Sequence, residues 1–144
     1  MTTHIRTVAA TVTLSLLVTA LAVHAQSYAL RARIPFEFTA GTTALPSGIY
    51  TIQRADFGNG VLMVRNLKKG VMVLSQNSYG GGGREKPRFV FQRYGRHYFL
   101  RQVWFTEFGG YALPETQQER AAASEATKMA LLQTTVTIDA ALGD

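Results

Sequence analysis

The sequence contains no cysteine, which excludes a disulfide framework, thiolate zinc sites and cysteine nucleophiles. Histidine is scarce as well, with 3 in 144 residues, and only His97 lies beyond the first 25 positions. A metal site would therefore depend on carboxylates, and the nearest in sequence, Glu85 and Glu107, stand at no recognisable ligand spacing. Charge is sparse at 17% and acidic residues are few, 9 against 15 basic. With 47% hydrophobic residues, that composition excludes wholesale disorder and fits one ordinary globular domain.

Signatures of catalysis are missing too. There is no Gly-x-Ser-x-Gly elbow, and a Ser-His-Asp triad would need His97 with Asp56 or Asp139, whose spacing suggests nothing. Glu37, Asp56, Glu85 and Glu107 read as strand-face and turn charges rather than a hydrolytic pair. Gly80 to Gly83 lacks the Gly-Lys-Ser/Thr ending and the following helix of a phosphate loop. The expectation is a non-enzymatic protein with no metal and no cofactor.

What is present begins with an export signal. A short basic start (His4, Arg6), an apolar run from Val8 to Val23 and the small-residue exit Val23-His24-Ala25 predict cleavage between Ala25 and Gln26. The run is interrupted by Thr11, Thr13, Ser15 and Thr19, and it is short for a span of about 20 apolar residues. Cleavage would leave 14 basic and 9 acidic residues, a net charge of +5. The charge is divided: residues 26–113 hold 12 basic and 4 acidic, whereas 114–144 hold 2 basic and 5 acidic. This predicts a signal peptide (1–25), a basic body (26–113) and an acidic C-terminal segment (114–144). The destination is the periplasm or the outside of the cell, where a basic surface meets anionic lipids and polymers.

The body reads as short strands. Leu30, Ala32, Ile34, Phe36 and Phe38 alternate with Arg31, Arg33, Pro35 and Glu37, the period of a half-buried strand, with an edge or a bend at Pro35. Leu45-Pro46-Ser47-Gly48 is a turn, and Ile49–Arg54, Val61–Asn66 and Val71–Gln76 are further strands. Asp56 to Gly60 reads as a hairpin loop, and Asn77 to Pro87 as a flexible connection. Arg88–Tyr94 and His97–Thr106 form an aromatic hairpin about Gly95-Arg96. Thr116-Gln-Gln-Glu119 is a capping box whose two side chains satisfy each other's backbone donors, and the helix it opens runs to about Leu132. Its apolar stripe, Ala122, Ala126, Met129 and Ala130, is made of small side chains that bury little area, so the helix is expected against the barrel end or a partner rather than in the core. Thr135–Ile138 either adds a strand or frays. The fold class is mainly β: a small antiparallel barrel or sandwich of six to seven strands with one C-terminal helix. Closure into a barrel is preferred because it removes exposed edges.

Several of these segments together resemble a family of small exported bacterial proteins of unassigned function. They are Ile34-Pro35-Phe36-Glu37-Phe38, Leu45-Pro46-Ser47-Gly48-Ile49-Tyr50, Phe91-Gln92-Arg93-Tyr94-Gly95, Tyr98-Phe99-Leu100 with Val103-Trp104, and Leu113-Pro114 with Glu119-Arg120. The resemblance spans nearly all of the chain after the signal and implies export and a shared β-rich fold, without an activity. The Ala-rich run and the Thr-Thr-Val-Thr-Ile tail are longer than it implies.

The candidate binding surface is the aromatic hairpin. Strict alternation places Tyr98, Leu100, Gln102 and Trp104 on one face and Phe99, Arg101, Val103 and Phe105 on the other. Both faces are substantially apolar, so one must be covered by the helix, a partner or a ligand. Trp104, Tyr98 and Tyr94, flanked by Arg93, Arg96 and Arg101, are the expected contacts. Interleaved cations and aromatics also mark single-strand nucleic-acid platforms, yet an exported protein seldom meets nucleic acid, and none is expected here. The leading expectation is a binding or interaction module at the envelope, its partner an anionic polymer, lipid or protein. A structural protein that forms homo-oligomers through its helix and strand edges, and a small β-barrel carrying a hydrophobic ligand, are the alternatives.

Overall fold

The computed structural model describes residues 29–55, 60–78, 86–106 and 109–143. The segment expected to be an export signal, with its expected cleavage between Ala25 and Gln26, residues 56–59 of the expected hairpin loop and the run Gly80 to Gly83 lie outside the described residues. Among the described residues the chain runs β1 (Ala29–Ile34), β2 (Phe38–Ala40), β3 (Thr43–Leu45), β4 (Gly48–Arg54), β5 (Val61–Arg65), β6 (Gly70–Leu74) and β7 (Gln76–Ser78). There follow β8 (Arg88–Tyr94), β9 (His97–Phe105), β10 (Gly109–Ala112), α1 (Gln117–Lys128), β11 (Gln133–Asp139) and β12 (Ala141–Leu142). The described residues are mainly β with one helix. Seven of the strands have five residues or more (β1, β4, β5, β6, β8, β9, β11), and β1 carries the expected alternation up to Ile34.

Two sheets face each other. One has the order β12-β1-β4-β5-β6; the other runs β11-β8-β9-β10-β7, with the β2–β3 hairpin joined to β9 where Thr39 meets Phe99. The sheets do not close into a barrel, which corrects the preference for closure and makes the fold sandwich-like. The physical reason lies at the corners, where the chain changes sheet instead of continuing one hydrogen-bonded path. Pro35 ends β1 and the chain re-enters at Phe38 in the opposite sheet. Ser75 still donates to Gly60 O at 2.6 Å, but Gln76 already pairs across the other sheet with Ala112.

Between the sheets lie Leu30 and Ile34 of β1, Phe38 of β2, Leu45 of β3, Tyr50 and Ile52 of β4, Leu62 and Val64 of β5, and Phe89 and Phe91 of β8. Each of these is nearly or wholly removed from water, and such burial contributes roughly 1.5–3 kcal/mol per large side chain. Phe38 meets Tyr50 and Phe91 edge-on, with ring centroids 5.0 and 5.3 Å apart. The buried Tyr50 hydroxyl donates to Pro46 O at 2.7 Å and accepts from Asn66 Nδ2 at 3.0 Å. Asn66 Oδ1 in turn accepts the Lys68 and Lys69 backbone N–H groups, so one tyrosine ties the Leu45–Gly48 turn to the β5–β6 turn.

A β-bulge reshapes the hairpin. Val90 pairs with Gln102 and Phe91 with Leu100, leaving Arg101 as the extra residue. Alternation changes phase there, so Leu100 and Val103 are both buried in the core. The strict two-face division of β9 is thereby corrected: Tyr98, Leu100, Val103 and Phe105 belong to the core side. Phe99, also buried, stands outside the core cluster, across from Gln92.

The helix stops short of Leu132. Ala130 takes a left-handed conformation at φ 53°, its N–H bonds Thr127 O at 3.2 Å, and the Leu131 N–H bonds Ala126 O at 2.8 Å. This is a Schellman stop with alanine where glycine is usual, so the sequence carried no visible end signal. The chain then forms β11, a full seven-residue partner of β8 rather than a frayed tail.

Candidate functional site

Two devices hold α1 against the outer face of the β8–β9 hairpin. Thr116 caps the helix by accepting the Glu119 N–H at 3.2 Å. The Glu119 carboxylate does not complete the expected box; it reaches the sheet, accepting from Arg101 Nη1 at 2.9 Å and from the Tyr94 hydroxyl at 3.4 Å. Its side chain is only 3% exposed. Burial, followed by the negative charges of Glu119 and Glu115, pushes the Tyr94 hydroxyl above its ordinary pKa, while Arg101 opposes the rise. At the far end, Gly95 N donates to Leu132 O at 2.8 Å, and the Leu131 side chain lies against Gly95.

Between these ties runs a groove of about 520 Å³. Arg93, Tyr94, Gly95, Arg96 and His97 line its sheet side; Ala122, Ala126, Met129, Leu131 and Leu132 form an apolar wall, with Glu125 also on the helix side. Arg96 and His97 are exposed, as are Met129, Leu131 and Leu132 at 62%, 46% and 62%. Arg93 is oriented by its Nε, which donates to Gly95 O at 2.6 Å, and its guanidinium lies 5.4 Å from the Tyr98 ring centroid. On the other side of Tyr94 is a more polar depression of about 410 Å³, lined by Gln92, Arg101, Gln102, Glu115, Glu119 and Thr135 among others.

The six sequence candidates do not converge. Arg93, Tyr94 and Arg96 line the groove. Tyr98 turns to the core side and stacks on Phe36 at 3.9 Å between centroids. Arg101 is engaged by Glu119. Trp104 lies apart, beneath the Arg88 guanidinium at 4.7 Å and over Gly110, its indole N–H donating to Gln102 at 2.9 Å. The sequence reading missed Leu131 and Leu132, which it had placed within the helix; two adjacent leucines at the end of a small-residue stripe were the available signal. Among the described residues no three His, Cys, Asp or Glu side chains gather as metal ligands, and no helix is long and apolar enough to cross a membrane.

These features define a two-sheet, sandwich-like β protein with one helix strapped over an outer face. Compared with protein-family models, curated proteins and solved structures, the chain has no match.

Proposed function

We propose that this is an exported, non-enzymatic binding module of the bacterial cell envelope, whose groove takes an amphipathic anionic partner. The observation that carries the reading is the pairing of Arg93, Arg96 and His97 on one rim with the exposed apolar wall of Met129, Leu131 and Leu132 on the other. An anionic head would sit on the guanidinium groups of Arg93 and Arg96 and an alkyl segment along the wall, an arrangement in which charge gives orientation and apolar burial gives affinity. The apolar run Val8–Val23 with its Ala25/Gln26 exit, the net positive charge and the resemblance to small exported proteins support an envelope location.

The test is calorimetric titration with dodecyl phosphate and with dodecylphosphocholine, both below their micelle concentrations. Dodecyl phosphate should bind more tightly, weaken as salt is raised, and lose at least about tenfold in affinity in an Arg93→Gln/Arg96→Gln variant. Equal affinity of the variant, or no heat with either amphiphile, overturns the reading.

A further inference from the structure

We propose that β6 is a dimerisation edge, on which two copies of this chain pair their β6 strands antiparallel about Met72. This goes beyond the groove and does not depend on it.

The β5–β6 ladder fixes which backbone groups are free. Asn66 N donates to Lys69 O at 2.9 Å and Ser75 N to Gly60 O at 2.6 Å, and the intervening register is unbroken. In an antiparallel ladder the hydrogen-bonded pairs alternate, so Val71 and Val73 spend their N–H and C=O groups on β5. Gly70, Met72 and Leu74 turn theirs away from it, toward the side where no described strand pairs. Met72 and Leu74 are also 55% and 74% exposed on the outer face.

Natural sheets guard such edges with charge, proline, bulges or short length. β12 and β7 follow this rule by their shortness, and β11 presents a polar exposed face instead. β12 has two residues and β7 three, and β11 shows Gln133, Thr135, Thr137 and Asp139 on its exposed side. β6 has five residues without proline, charge or bulge.

The occupant follows from self-complementarity. With Met72 opposite Met72 of the second copy, each Gly70 faces a Leu74, so the larger side chain covers the position that has none. Every free N–H and C=O of the three outward residues finds its counterpart, because each pair exchanges both bonds. The turn lysines do not collide: Lys69 falls opposite the neutral Ser75, and Lys68 lies past the point where the facing chain leaves for the other sheet at Gln76.

Sedimentation velocity over a concentration series tests this, together with Met72→Pro, which removes an N–H the β5 ladder does not use, and Leu74→Lys. The wild type should dimerise, and each variant should raise the midpoint concentration at least about tenfold with an unchanged circular dichroism spectrum. Met72→Cys then supplies the chain's only thiol. Opposed residues of a hydrogen-bonded pair have Cα atoms about 5.5 Å apart, within reach of a short bismaleimide; the reagent should therefore crosslink Met72→Cys and spare Leu67→Cys, whose two copies would sit roughly 30 Å apart. A wild type that stays monomeric at the highest soluble concentration overturns the proposal. So does a dimer that neither Leu74→Lys nor Met72→Pro weakens, or crosslinking no faster for Met72→Cys than for Leu67→Cys.

Discussion

Arg101 and Glu119 meet at 2.9 Å, one the bulge residue of β9 and the other the third residue of α1. The carboxylate is almost wholly buried, while the guanidinium side keeps 32% of its exposure. The pair therefore joins helix to sheet at a point neither element could specify alone. Arg101→Met should cost about 2–3 kcal/mol in urea denaturation, because it strands a buried charge beside Tyr94. Combining it with Glu119→Leu should recover most of that loss. On the proposed function, affinity for dodecyl phosphate should fall with the single variant and return in part with the double, since α1 carries part of the apolar wall.

Ala130→Gly should stabilise the protein by about 1 kcal/mol, as the left-handed φ of 53° costs alanine but not glycine. Thermal unfolding of the two proteins is the check. A melting temperature that falls would mean that the helix stop is set by contacts of the alanine methyl.

Gly110→Ala addresses packing without conformational strain. A Cβ there would meet the Trp104 ring at 2.9 Å, so the indole must leave its place beneath Arg88. The expected result is a loss of about 1–3 kcal/mol and a shifted emission of the sole tryptophan. Unchanged emission would contradict the placement of the indole over Gly110.

Alkaline pH should unfold the protein through its tyrosines. Burial raises the Tyr50 hydroxyl above its ordinary value of 10.0, against the lowering effect of Asn66, and Tyr94 is raised as well. For a group whose folded pKa lies higher, the stabilisation is complete below the unfolded pKa and is lost as pH rises through the folded one. Stability should thus hold to about pH 10 and then decline. Tyrosinate absorbance followed against circular dichroism should show part of the tyrosines ionising only as the fold is lost.

Local chemistry by itself determined the strands and the helix start. Period-two alternation at Leu30–Ile34 and in the Arg88–Tyr94 strand, the Pro46–Gly48 turn and the Thr116 cap each act within a few residues, so they are readable in the chain order. The basic character of the hairpin was legible for the same reason, and it led to Arg93, Tyr94 and Arg96. Tertiary structure decided the rest. The extra residue at Arg101 is defined only by the partner strand's register, and it reversed the faces assigned to Val103 and Trp104. The helix end at Ala130 carries no glycine to announce it; it stops because Leu132 is tied to Gly95 and Gln133 is paired with Tyr94. The open sandwich in place of a barrel depends on which distant edges find each other, a long-range balance that no window of sequence contains.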